Sequence, residues 1–206
     1  VTGLYNTALG DGSLLVLTSG TENVAVGKGA LAANTTANYS TAVGYGSLGA
    51  NTTADNNTAL GRGSLAANTT GHSNTAVGAN AGDAITTGDA NVAVGYVALS
   101  ATTTGDYNTA VGRGALAVNT TASNNTGLGY ASLGANTTGT SNVAVGRSAL
   151  EANTTASNNT AVGHGALNAT TVGNHNTALG KSAGLLTTGS RNTWIGALCG
   201  DANTGG

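Results

Sequence analysis

The residues best suited to chemistry recur at a fixed spacing along the chain. Basic and phenolic side chains separated by 17 residues, or by a multiple of 17, form a row that consists of Lys28, Tyr45, Arg62, Tyr96, Arg113, Tyr130, Arg147 and Lys181. Cationic and aromatic side chains one repeat apart can stack by cation–π contact, which contributes about 0.5–1 kcal/mol for an exposed pair. The row is therefore a candidate binding stripe for a host-surface glycan, a receptor or another anionic surface. The alternative is a solvated corner that keeps like charges apart.

The other reactive side chains form no catalytic pattern. The three histidines occupy three different places in the repeat, and Cys199, the single cysteine, has no evident histidine partner. No Ser-His-Asp order recurs, and the aspartates lack the Gly-Gly-x-Gly-x-Asp spacing of calcium-binding β-rolls. We therefore expect no enzymatic activity, no cofactor and no metal site.

Asn-Thr-Thr turns recur through the chain, as at residues 34–36 and 153–155. Each is a glycosylation sequon if the chain passes through a secretory glycosylation system. A flat threonine array could also bind ice, which we keep as an alternative function. Adjacent threonines face opposite ways in a strand, however, so the spaced Thr-x-Thr plane of such a surface is missing.

The candidate row is one position of a 17-residue unit that fills the chain. Position 3 of the unit is Ala in ten of twelve copies, with Gly127 and Trp194 as exceptions, and position 4 is Val, Leu or Ile. A short fixed period over a whole chain is the signature of a solenoid. Counting each unit from its first residue, the units start at Asn6, Asn23, Ser40, Asn57, Asn74, Asn91, Asn108, Asn125, Asn142, Asn159, Asn176 and Asn192. Position 5 is always glycine, at Gly10, Gly27, Gly44, Gly61, Gly78, Gly95, Gly112, Gly129, Gly146, Gly163, Gly180 and Gly196.

The unit predicts a strand, a corner, a second extended segment and a turn. Thr or Val at position 2 and an aliphatic residue at position 4 share one strand face, with Ala at position 3 on the other. We expect position 4, Leu at position 9 and Ala at position 11 to fill the inside. The small Ala at position 3 would then form a flat outer surface for packing between chains. Gly at position 5 would end the strand by an unusual φ or a close backbone approach.

One unit cannot bury its own apolar side, but stacked units can, with each strand pairing in parallel about 4.8 Å from the next. The fold class we predict is all-β: a single parallel β-solenoid domain over residues 1–206, with about twelve coils. Asn side chains at positions 1 and 12 would form ladders along the axis. Trp194, in place of a small Ala, would mark a plug over the core or a junction at the C-terminal end.

Composition narrows the function. Only 7% of residues are charged and 3% are aromatic, far from an ordinary globular core, whose charged fraction is about a quarter. A net charge of −2 gives no electrostatic case for nucleic acid. No apolar run approaches the roughly 20 residues that span a bilayer, so we expect no membrane insertion. One cysteine excludes a disulfide within the chain.

The motif Asn-Thr-Ala-Val-Gly-x-Gly-Ala-Leu, as at residues 159–167, resembles the head repeats of trimeric autotransporter adhesins, the YadA-like heads. The 17-residue form with Ala-Asn-Thr-Thr resembles repeats of bacteriophage tail-fibre proteins. The resemblance covers residues 4–204 and implies a left-handed β-roll that associates as a homotrimer outside the cell. The period is longer here than in typical adhesin heads, and the chain shows no neck, coiled-coil heptads or anchor.

Three functions follow from this interpretation. The first is a structural or adhesive fibre module, a stiff rod on a virion or bacterial surface. The second is an extracellular filament subunit that stacks end to end, because Val1 and Gly206 fall at nearly the same phase of the unit. The third is an ice- or glycan-binding module.

Overall fold

The computed structural model describes residues 2–186 and 188–200 and shows a parallel β-solenoid, which confirms the predicted fold class. Twelve three-residue strands form one sheet in chain order. They are β1 (Thr7–Leu9), β2 (Val24–Val26), β3 (Thr41–Val43), β4 (Thr58–Leu60), β5 (Thr75–Val77), β6 (Val92–Val94), β7 (Thr109–Val111), β8 (Thr126–Leu128), β9 (Val143–Val145), β10 (Thr160–Val162), β11 (Thr177–Leu179) and β12 (Thr193–Ile195). Each strand residue pairs with the equivalent residue of the next coil, as Ala110 does with Gly127. At about 4.8 Å per step, the sheet is on the order of 53 Å long.

The glycine at position 5 is required both for its unusual φ and for a close backbone approach, as predicted. Its φ lies between 123° and 137° in all twelve coils, in a region that side chains disfavour. Its backbone also lies against the same glycine one coil on: a Cβ added to Gly112 would fall 2.5 Å from the carbonyl oxygen of Gly129. No other residue type fits here.

The predicted asparagine ladder at position 1 is present and clamps successive coils together. The Oδ1 atom of Asn91 accepts the backbone N–H of Asn108 at 2.9 Å, and its Nδ2 donates to the carbonyl of Gly105 at 2.8 Å. The ladder Asn residues between coils 2 and 11 are buried, so each bond satisfies groups that water cannot reach. The ladder is weaker at Ser40, because the backbone N–H of Asn57 donates to its Oγ at the longer distance of 3.3 Å.

A second ladder of buried amides runs along position 12, in segments. Asn153 donates to Oδ1 of Asn136 at 2.7 Å, and Asn68 donates to Oδ1 of Asn51 at 3.0 Å. The next coils carry Ile85 and Thr170 at this position. At those two steps the Oδ1 atoms of Asn68 and Asn153 are buried without a hydrogen-bond partner. Each unpaired oxygen therefore lies in the coil just before the one in which position 12 is not Asn.

The strand faces are the reverse of the prediction. Ala at position 3 points inward and is fully buried in the single chain, as Ala42 and Ala110 show, while position 4 faces outward, with Val111 37% exposed. The prediction that Ala at position 3 forms a flat outer surface for packing between chains was therefore wrong. The coil is too thin for a larger residue at position 3: a Cβ on Gly127 would already lie 3.0 Å from Oγ of Ser132 and 3.5 Å from Leu116. Ala at position 11 is half-buried rather than a core residue.

The prediction of a second extended segment was also wrong, because positions 6–11 form turns. The leucine at position 9, as in Leu116, has a φ of 51° and is fully buried. A left-handed conformation costs a non-glycine residue on the order of 1–3 kcal/mol. Burial of a leucine side chain contributes about 1.5–3 kcal/mol, which offsets that strain and drives the turn inward.

Where leucine is missing at position 9, another side chain fills the space. A Cβ on Gly82 would lie 3.0 Å from Cδ1 of Ile85, which replaces the position-12 Asn of that coil. Near the C-terminal end, Trp194 occupies the space beside both Gly184 and Gly200 and packs on the core. Trp194 therefore plugs the core, one of the two roles predicted for it.

Substitutions at two glycines of one coil test the close approach between the backbones of successive coils. We expect Gly112→Ala to destabilise the protein by more than about 3 kcal/mol, since strain and overlap with Gly129 add. Gly114→Ala is the matched control, because its φ is 67° and nothing lies within 4 Å of the added Cβ. Urea unfolding measures both variants, and equal losses would contradict this account of position 5.

Position 1 offers a gain-of-stability test. We expect Ser40→Asn to stabilise the protein by about 1 kcal/mol, because an amide restores a strong acceptor for Asn57 and a donor to the next coil. Asn91→Ser makes the opposite change in a complete stretch of ladder and should cost a similar amount. Thermal unfolding followed by circular dichroism reports both, and a destabilising Ser40→Asn would show that the ladder is not what Ser40 weakens.

Candidate interaction surface

The row at position 6 is exposed, and its central part is stacked as predicted. The guanidinium of Arg113 lies between two phenol rings, 6.0 Å from the centroid of Tyr96 and 5.7 Å from that of Tyr130. Arg147 covers Tyr130 from the following coil at 5.8 Å. Tyr96 is 53% exposed and Tyr130 is 47% exposed. The coil repeat thus builds a continuous alternation of two aromatic and two cationic groups, each about 4.8 Å along the axis from the next.

The outer members of the row stand apart from this stack. Lys28 pairs with Asp11 at 3.6 Å, and both side chains are largely exposed, so the pair contributes little. Within the described chain, Tyr45, Arg62 and Lys181 make no cation–π contact. The structure thus brings together Tyr96, Arg113, Tyr130 and Arg147 only.

The charge of Arg62 acts on the carboxyl group of Asp83, which sits at position 10 of the next coil. Burial raises the pKa of Asp83, against the opposing effects of its own backbone hydrogen bond and the charge of Arg62. Its Oδ1 atom is buried and accepts no hydrogen bond. Asp83 is thus a carboxylate in an unfavourable setting, which the sequence did not indicate.

The outward face of the sheet is a second candidate surface. Position 4 places a column of Val, Leu and Ile side chains along all twelve strands, beside a column of Thr and Val at position 2. No outward position of these twelve strands carries a charge. Exposed fractions in this column include 36% for Val43, 38% for Leu60 and 49% for Leu179. We call this surface the aliphatic face.

A third ladder runs along position 16, where the sequence analysis predicted none. The side chain there caps the backbone N–H of the residue one coil earlier: Asp55 accepts from Asn38 at 2.6 Å, and Asp106 accepts from Asp89 at 2.8 Å. His72 accepts from Asp55 through Nδ1, and Ser157 accepts from Thr140 through Oγ. The available signal was chemical: from Thr21 to Ser190, residues at this position all carry an acceptor.

The Asn-Thr-Thr turns are used by the fold. Asn34, Asn51 and Asn153 are fully buried, so these sequons are closed to glycosylation in the folded chain. The first threonine donates its hydroxyl to the carbonyl of the next coil, as Thr69 does to Thr86 at 3.1 Å. The second threonine, as in Thr70, is exposed. Neighbouring threonines therefore take different roles and form a single exposed row.

No cavity is found in residues 2–186 and 188–200. The same residues contain no group of three His, Cys, Asp or Glu side chains placed to hold a metal ion, and Cys199 is free and exposed. None of the residues described by the structure forms a helix with the length and hydropathy to cross a bilayer. The row at position 6 and the aliphatic face are thus the features of the surface that call for a function.

No protein-family model, curated protein or solved structure matches the chain. The similarity to trimeric adhesin heads and phage tail fibres therefore stays a prediction from the repeat motif.

The carboxyl group of Asp83 gives a pH-dependent prediction. A carboxyl whose pKa is raised on folding holds its proton more tightly in the native state, so its contribution to stability falls as the pH rises through its pKa. We expect Asp83→Asn to be more stable than the parent protein near pH 7 and to lose that advantage at pH values below the usual Asp range. Asp89→Asn, at an exposed residue of position 16, controls for the loss of one negative charge. An advantage that is the same at both pH values would contradict the assignment.

Proposed function

We propose that this chain is a non-enzymatic fibre module that forms a stiff rod outside the cell, on a virion or bacterial surface, and that it packs as a homotrimer. The observation that carries the proposal is the aliphatic face, which runs uncharged along the whole sheet. All-parallel sheets are almost always covered on both faces. In a single chain, one face of this sheet is open.

Copies of the same chain are the simplest cover for such a face. An exposed apolar surface of this length marks an interaction site, and closed rotational symmetry is the usual arrangement of identical chains. Three parallel solenoids with their aliphatic faces toward a common axis would bury position 4 and leave the turns outside. The inward Ala and Leu residues would form a separate hydrophobic core within each chain.

The mechanism of the rod is mechanical. Asn side chains and backbone groups bond every described coil to its neighbours, so the coils cannot slide past one another without breaking buried hydrogen bonds. A rod of this kind holds a terminal receptor-binding element away from the surface, or presents identical side chains repeatedly for multivalent contact.

Mass and shape test the proposal directly. For residues 1–206, light scattering should give three times the chain mass of 19.6 kDa. Negative-stain microscopy should show rods about 5–6 nm long, from the strand spacing. A single-chain mass at all concentrations would overturn the proposal, and long fibres would favour the end-to-end filament.

Two valines of one coil locate the interface. Val111 on the aliphatic face is 37% exposed and Val118 in the turns is 43% exposed. We expect Val111→Lys to dissociate the rod, because ammonium groups from all copies would meet near the axis without partners. Val118→Lys, with matched chemistry and exposure, should leave the mass unchanged. Dissociation by both variants, or by neither, would move the interface away from the aliphatic face.

A further inference from the structure

Two rows of opposite charge flank the aliphatic face. On one side lies the basic row at position 6: Lys28, Arg62, Arg113, Arg147 and Lys181. On the other side, positions 16 and 17 are acidic before four of the strands, at Glu22, Asp55, Asp89 and Asp106 (the acidic row), and basic only at Arg191, before β12. Asp106 precedes β7 by three residues and Arg113 follows it by two, so the strand separates them. Resting on the association proposed above, we propose that copies pack parallel and in register, with the basic row of one copy against the acidic row of its neighbour.

Opposite charges flank the same strand in three coils. Glu22 and Lys28 bracket the same strand, as do Asp55 and Arg62, and Asp106 and Arg113. None of these pairs forms an ion pair within the described chain, where the salt bridge present joins Lys28 to Asp11. Glu22, Asp55 and Asp106 have no ion-pair partner within the described chain, and a neighbouring copy would present the basic row to them at the same height.

Register and direction follow from this pattern. With no axial offset, three acidic residues face basic ones. A shift of one coil leaves one such pair, Asp89 with Arg113, and the opposite shift leaves none and sets Glu22 against Asp11. A two- or threefold axis along the rod brings unlike flanks together at equal height. An antiparallel pair would instead place one basic row against the other, and the like charges would repel.

The charged groups are also held in place before association. Asp55 and Asp106 each accept a backbone N–H through Oδ1, and Arg113 is held between two phenol rings. Groups already ordered lose less conformational freedom on binding. Because such peripheral pairs are hydrated, they select partner and register more than they supply affinity.

The test compares two arginines of the basic row in the full chain, by sedimentation at low ionic strength. Arg113→Glu would oppose Asp106 of the neighbour, and we expect it to raise the dissociation constant of the assembly by about tenfold or more. Arg147→Glu is the matched control: it also stacks on Tyr130, but its coil carries Thr140 and Ser141 on the acidic side. We expect that variant to change the constant by less than about threefold.

The swapped variant Arg113→Glu with Asp106→Lys should restore assembly, with circular dichroism confirming that each variant folds. Cross-linking gives an independent answer where Asp106→Lys fails to fold. In a Cys199→Ser background, Ser141→Cys with Arg147→Cys should form disulfides between copies. The pair Ser141→Cys with Lys181→Cys, offset by two coils or about 9.6 Å along the axis, should not.

Each other outcome is decisive. Equal effects of Arg113→Glu and Arg147→Glu, or cross-linking of the offset pair, would overturn the pairing while leaving the rod intact. An unchanged mass for Arg113→Glu, together with its reduced retention on an immobilised anionic polysaccharide, would also overturn it and assign the stripe to an external ligand. A parent protein that stays a single chain would instead overturn the association itself.

Discussion

The approach of one coil to the next controls everything else in this protein. At position 5 the backbones are so close that a methyl group would overlap the carbonyl of the following coil. Stacking at this distance places each residue above its equivalent, so a side chain is stable only if it can pack or bond with a copy of itself. Glycine, alanine and asparagine meet that condition in the interior. The amide of Asn donates and accepts along one line, which explains why the inside is partly polar yet well bonded.

Departures from the repeat show how strict this condition is. Replacement of Asn by Ile85 or Thr170 leaves a buried oxygen of the preceding coil without a partner. Loss of leucine at position 9 is repaired locally, by Ile85 beside Gly82 and by Trp194 beside Gly184. The loss of leucine is therefore compensated within the same coil or the next one, whereas the loss of Asn leaves an unpaired oxygen in the coil before it.

Much of the architecture could be predicted because the period itself carries the information. The parallel register, the role of glycine and the asparagine ladders follow from stacking alone, and so does the contact of Arg113 with its tyrosine neighbours. The inward face could not be predicted in the same way. Thr-Ala-Val offers two faces, and the larger aliphatic residue was placed inside, whereas the narrow coil has room only for Ala against Leu116. A left-handed leucine cannot be recognised from residue type, and the acceptors at position 16 were hidden by their chemical variety.

The eleventh coil carries a consequence for how such a protein changes length. It has one residue fewer than the others, with the deletion between Leu185 and Gly189, yet Asn192 still donates its N–H to Asn176 at 3.0 Å, as in the other coils. The turn tolerates a change in chain length that the strand would not, since a one-residue slip there exchanges the two faces. Whole coils are interchangeable because each presents the same bonds above and below. Duplication or loss of a coil in the gene would therefore lengthen or shorten the rod by one strand spacing while keeping its ladders and its outer face continuous.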